Sequence, residues 1–374
     1  MKQIESTTRI DEESGEAIQI PADAPEPKLD PKLEHELKRY AICLLLGVAY
    51  SASLGGITTL IGTVPNLNFT RTLAIIYPQA PEVSFLTWML FCLPISGCIL
   101  IFMWLFFICF KSANAFFSKS RADFDLPADL FKQRYKELGR VSVEQIIILV
   151  AVFIMVLLWF TRLGFGTSWF SGWSQYLPDA NYGTVAILIA VSMFIIPSPS
   201  SLCTKTILEW EDMLVFPWDI ILLLGGGYAL AFGFTSSGLS DWIATSFESF
   251  SNLNVVLVLF LVCFITTFLT ELTSNTAVSS IFLPIVATLA VSIGENPLLL
   301  MVPCTISSSM AFMFPVATPP NAIAFASGIL KIEDMAKPGF IFNLVAIVVV
   351  AVYTFLAGGI FFNIELGVVP SWAL

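Results

Sequence analysis

The 374-residue chain is 56% hydrophobic and only 12% charged, with a net charge of −10 and a mean hydropathy of +0.83. A soluble domain carries roughly twice that charged fraction. A transmembrane β-barrel alternates with a period of two instead of running apolar for about 20 residues. What remains is an all-α polytopic membrane protein.

Residues 1–36 hold ten Asp/Glu and four Lys/Arg, so this stretch supplies −6 of the net charge and says little about a ligand. Pro21, Pro25, Pro27 and Pro31 punctuate it, and 1–40 is predicted to be a disordered tail. His35, the only histidine, lies here; acid–base or triad chemistry built on histidine is excluded and no enzyme is expected. Apolar runs follow at 41–62, 87–110, 145–161, 182–197, 219–234, 253–270, 277–292, 298–317 and 340–362. They predict about seven spans plus one hairpin. Lys28, Lys32, Lys38 and Arg39, the seven Lys/Arg of 111–140, and Lys331 with Lys337 place their segments in the cytoplasm, the N-terminus included. Loops 71–86, 164–181 and 237–252 contain one basic residue, Arg71. They are expected outside, as is the C-terminus. Seven cysteines show no metal-ligand spacing and are expected to be small buried hydrophobes. Asn68 opens an "NFT" glycosylation pattern at a predicted membrane edge. No basic stretch marks a nucleic-acid surface.

Between 253–270 and 277–292 lies "ELTSNT", too short, too apolar on both flanks and too poor in basic residues for a cytoplasmic loop. Residues 253–292 are therefore predicted to be a re-entrant hairpin turning at 271–276 inside the membrane, where protein or water must meet the open backbone. Glu271 is its one acid. It either takes part in a cation or proton site or holds the hairpin tip in shape.

"SASLGGITTLIGTVPNLN" (51–68) and "ISSSMAFMFPVATPPNAI" (306–323) align at an offset of 255. Ser53 falls on Ser308, Gly62 on Ala317, Thr63 on Thr318, Pro65 on Pro320 and Asn66 on Asn321. The charge map runs the two segments in opposite directions, which predicts an inverted repeat with broken helices around a midplane site; the alternative is two ordinary Pro-kinked helices packed through small residues. The expected parts are 41–163 as the remainder of the first repeat, 164–252 as connecting spans, the 253–292 hairpin, a broken span at 298–330 and a last span at 340–363. At a break, N–H ends attract anions and carbonyl ends attract cations. Neither motif contains Lys or Arg, so an anion there needs bound cations, and neutral oxygen ligands suit Na⁺.

With "SNT", "ATPPNA" and "SASLGGITTLIGTVPN" together, the chain resembles the divalent anion:sodium symporter family over about 41–374. The resemblance implies Na⁺-coupled symport of dicarboxylates, citrate or sulfate by an elevator movement, in a homodimer set in lipid, at the plasma membrane. Di- and tricarboxylates are the expected substrate class, with sulfate as the alternative. Carried over by motif, Ser274, Asn275, Thr276, Thr318, Pro319 and Thr63 would contact substrate; Thr270, Thr273, Asn275, Ala317 and Gly62 would serve sodium. One departure stands out. Asn275 precedes Asn321 by 46 residues, and the same step back from Asn66 lands on Ile20, within "EAIQIPADAPEP" instead of an apolar "SNT" hairpin. The expectation is that the first hairpin, half of the first sodium site and much of the scaffold and dimer interface are absent. A further alternative is then a transport-inactive form that pairs with a full-length transporter.

Overall fold

The computed structural model describes residues 8–10, 17–19, 31–108, 128–163, 172–199, 205–216 and 254–374, with scattered positions between 218 and 242. The span expected at 219–234 and the loop at 237–252 lie largely outside the described residues. Helix α1 covers Pro31–Thr58, α2 Val64–Ile76, α3 Phe85–Phe106, α4 Ala128–Glu137, α5 Val143–Thr161 and α6 Tyr182–Ile195. Helix α7 covers Val255–Thr270, α8 Asn275–Ser292, α9 Pro297–Ser307, α10 Pro319–Phe325 and α11 Ile332–Phe362. Five of these helices are long and apolar enough to cross a membrane, and α6, α7 and α9 are shorter apolar helices, among the described residues.

The structure differs from the expectations in three places. Helix α1 begins at Pro31, inside the stretch expected to be structureless; a proline at the first helical position has no N–H that the helix would use. Within the same tail, Thr8–Ile10 (β1) and Ala17–Gln19 (β2) pair antiparallel. Helix α11 begins at Ile332, not near 340. Its first turn carries Glu333 and Asp334, which lower hydropathy, yet Asp334 Oδ2 accepts the Lys331 N–H at 3.1 Å and caps the turn. Among the cysteines, Cys92, Cys263 and Cys304 are buried, but Cys98 is exposed. Six residues beyond Cys92, it lies about 240° around α3, on the outward face.

Helix α9 is the axis of the packing. Every residue from Pro297 to Ser307 is buried, and α2, α7, α8 and α11 pack around it. A helix apolar on all sides needs such a surround. Helix α1 packs on α3 and α10, and α3 on α11. Helices α5 and α6 pack on each other and reach this body through α3, where Phe85 stacks on Trp159 and Arg162 pairs with Glu82.

The repeat is visible in the backbone. The offset of 255 carries Val64, the start of α2, onto Pro319, the start of α10. It also carries 85–106, the extent of α3, onto 340–361 within α11. The caps agree: Thr63 has φ −145° and ψ 150°, and Thr318 has φ −150° and ψ 146°. Prolines sit just inside both helices, where missing N–H groups cost nothing.

Glycine is required where backbones touch. A Cβ on Gly339 of α11 would lie 2.3 Å from Phe312 O, whereas a Cβ on Gly97 of α3 would meet nothing within 4 Å. Gly339→Ala is expected to lower the melting temperature of the detergent-solubilised chain by several degrees, from about 1–3 kcal/mol of overpacking. Gly97→Ala should leave it unchanged or slightly higher. Equal melting of the two variants would contradict the close approach.

Candidate functional site

Each break leaves carbonyls without helical partners, and each repeat meets them in the same way. Asn66 donates its amide to Thr59 O at 2.8 Å and to Ile57 O at 3.4 Å. Its offset partner Asn321 donates to Phe314 O at 3.1 Å and Ala311 O at 3.0 Å. Thr59 and Phe314 are themselves related by 255. Both side chains reach back from the first turn of the second half-helix, Asn66 to the last turn of α1 and the residue after it, Asn321 into the break beyond the end of α9. Trp88 of α3 adds an indole N–H to Ile57 O at 3.0 Å.

The breaks and the hairpin tip enclose a cavity of about 460 Å³. Ala52, Ser53 and Gly56 of α1 line it, with Gly62 and Thr63 of the first break, and Ser309, Ala317, Thr318 and Pro319 of the second. Ser274, Asn275 and Thr276 complete it from the tip. Gly62 permits the first break: a Cβ there would lie 2.3 Å from Gly56 O. Among the described residues, no Lys, Arg, Asp or Glu lines the cavity.

Its polarity comes from backbone ends and neutral side chains. Thr63 and Ser274 are the N-caps of α2 and α8, both line the cavity, and neither side chain caps its own helix. By contrast, Ser84, Ser142, Asn181, Asn254 and Asn296 accept N–H groups at their helix starts. Uncapped helix starts are anion sites. Behind the tip, Thr270 Oγ1 lies 2.6 Å from Asn275 Oδ1 and 2.7 Å from Ser308 O. One hydroxyl proton serves only one of these acceptors. Three oxygens gathered around one proton fit a small cation held by carbonyl, hydroxyl and amide ligands. Asn66 Oδ1, Asn321 Oδ1 and Ser309 Oγ are buried acceptors with no partner.

Eight of the residues expected at the site therefore line one cavity: Gly62, Thr63, Ser274, Asn275, Thr276, Ala317, Thr318 and Pro319. Thr270 stands just behind, bonded to Asn275. Thr273 is exposed, is not part of the lining, and its N–H bonds Leu269 O at 3.1 Å. Glu271 is buried and does not line the cavity. Asn68 was legible only as a glycosylation pattern, yet it is 1% exposed. Its amide reaches Ser279 Oγ at 2.7 Å and Ser280 Oγ at 2.9 Å, tying α2 to the first turns of α8. An amide inside an apolar run is the signal that marks such a clamp.

Two broken helices face a helical hairpin across a polar cavity with no charged side chain in its lining among the described residues, the architecture of an inverted-repeat membrane protein. The family model of the sodium:sulfate symporter transmembrane region matches residues 19–363, and the chain belongs to that family. It is 35% identical to the Na(+)/citrate cotransporter of Rattus norvegicus over 93% of this chain and 65% of that protein. It is 36% identical to solute carrier family 13 member 1 of Homo sapiens, over 88% of this chain and 58% of that protein. The sodium-dependent dicarboxylate transporter SdcS of Staphylococcus saprophyticus is 33% identical over 85% and 59%. The chain thus spans about 65% of the length of the citrate cotransporters it matches.

Asn321→Ala strips Ala311 O of its partner and Phe314 O of one of two donors; Asn66→Ala removes one of two donors from Thr59 O and from Ile57 O, which keep Gly62 N and Trp88 Nε1. Asn321→Ala is expected to cost about 1–3 kcal/mol and Asn66→Ala about 0.5–1.5 kcal/mol, read as a lower melting temperature in detergent. A variant that melts like the parent chain would show that its break does not need the amide.

Proposed function

We propose that the chain performs sodium-coupled symport of di- and tricarboxylates of the succinate and citrate class. The observation that carries this is the pairing of two uncapped helix starts with an oxygen cluster around one charge-free cavity. In a low-dielectric site a carboxylate needs a counter-charge. Here that charge is the co-transported Na⁺. Thr270 and Asn275, with the Ala317 and Gly62 backbone, hold the cation; Thr273 enters this set through the resemblance alone. The carboxylate docks on Ser274, Asn275 and Thr276, with Thr63, Thr318 and Pro319 as walls. Asn275 faces both ligands, so ion and substrate bind cooperatively.

The hairpin α7–α8 is re-entrant, with its tip at membrane depth. The body around α9 moves against α5 and α6 in an elevator fashion, within a homodimer at the plasma membrane. The N-terminus is cytoplasmic and the C-terminus extracellular. Sulfate is the second substrate reading, favoured by membership of the sodium:sulfate symporter family. The cavity meets a single Ser-Asn-Thr tip among the described residues. That favours one further reading, a transport-inactive chain that associates with a longer relative.

Labelled succinate and citrate uptake into cells expressing the chain tests this. Uptake is expected to require Na⁺, to resist competition by sulfate, and to be lost in Asn275→Ala. Unchanged Na⁺-dependent uptake by Asn275→Ala would overturn the site. No uptake by membrane-inserted chain, with co-purification of a longer family member, would favour the transport-inactive reading.

A further inference from the structure

Glu271 is 1% exposed, yet among the described residues no ion pair involves it. Its carboxylate is met by N–H donors alone. Oε1 accepts from Phe312 N at 2.7 Å, Met313 N at 2.9 Å and Asn343 Nδ2 at 2.7 Å. Oε2 accepts from Phe314 N at 3.1 Å. Three successive amides of the second break thus close on one side chain of the hairpin turn. Acceptor-only geometry of this kind matches an ionised carboxylate. Burying a charge without a cationic partner is costly, so its presence calls for a reason beyond closing a loop.

The first break supplies the internal comparison. Ile57, the offset partner of Phe312, is met by the Trp88 indole and the Asn66 amide, with no carboxylate. Trp88 and Asn343 are themselves related by 255, so each repeat sends one N–H from the same place on α3 or α11. Helix α1 runs through Thr58, so the amide of Ile57 lies inside a helix, whereas α9 ends at Ser307 and leaves the amides of 312–314 open; among the described residues only the second break has a carboxylate on its backbone.

Glu271 follows Thr270 in the chain, and Thr270 Oγ1 touches both Asn275 Oδ1 and Ser308 O. By taking the amides of 312–314, Glu271 pins the segment after α9, at whose start the Ser308 carbonyl forms part of that cluster. Helix α11 backs the segment through the Gly339 contact with Phe312 O, and Asn343 lies one turn further along the same face. We propose that Glu271 is a positioning residue and fixed counter-charge for the cation. It orders the second break and gives the Thr270–Asn275–Ser308 oxygens a net negative setting without contacting the ion. This inference rests on the sodium reading above.

The test is the Na⁺ concentration that half-maximally raises the melting temperature of the purified full chain in detergent, with choline chloride holding ionic strength, checked by ²²Na⁺ binding. Glu271→Gln is expected to raise that midpoint about tenfold or more, because it removes the charge and turns an NH₂ toward N–H donors. Glu271→Asp keeps the charge and should lie between Gln and the parent. Asn343→Ala, which removes one of four donors and leaves the carboxylate, should raise the midpoint by a smaller factor. A folded Glu271→Gln with the parental Na⁺ midpoint would overturn the inference. If Glu271→Gln gives no cooperative melting, Glu271→Asp and Asn343→Ala decide: shifted midpoints support the proposal and parental midpoints overturn it. A parent chain that responds to Na⁺ no more than to choline would overturn the sodium reading, and this inference with it.

Discussion

A helix that stops inside an apolar layer leaves N–H groups at one stump and carbonyls at the other, and hydrocarbon offers neither a partner. The two breaks, after Thr58 and after Ser307, pose that problem twice within one chain. Asn66 and Asn321 reach back to carbonyls of the break itself, Thr59 O and Phe314 O. Trp88 and Asn343 arrive from the neighbouring helices, the one on a carbonyl and the other on Glu271. Asn66, Asn321, Thr270 and Glu271 thus meet open backbone ends with buried side chains. What is left unmet, chiefly the uncapped starts of α2 and α8, faces the cavity and is available to a ligand.

Electrostatics then narrows the chemistry. Among the described residues, the cavity lining has dipoles but no charged side chain. An anion placed there alone would lose its hydration without gaining a counter-charge. A cation placed alone among Thr270, Asn275 and Ser308 oxygens is better supported, since Glu271 stands next in sequence. On the proposed function the two ligands favour each other, and coupling follows from the site without any distant relay. Asn68 adds rigidity by fastening α2 of the first repeat to α8 of the second.

Much of this was readable from residues. The Thr-x-Pro-Asn pattern at a fixed offset exposed the repeat, because a cap, a proline and a back-reaching amide are local devices with fixed spacing. The hairpin was readable from a polar run without basic residues between apolar legs. Other features depend on partners far away in sequence. Trp88 and Asn343 look like ordinary span residues until α3 and α11 are set beside the breaks. The four donors around Glu271 come from residues more than forty positions away, so its environment had no local signature. Hydropathy missed the first turn of α11, where Glu333 and Asp334 serve as start signals, and composition missed that Pro31 opens α1. Thr273 entered the ligand set through the resemblance alone and stands outside the cavity wall.

The most direct test of the coupling is the affinity of the purified chain for succinate measured across a series of Na⁺ concentrations at constant ionic strength, together with Na⁺ affinity measured with and without succinate. The account predicts that succinate binds more tightly as Na⁺ rises, and that Na⁺ binding strengthens by the same factor when succinate is present. Succinate affinity that stays constant from zero to saturating Na⁺ would contradict it.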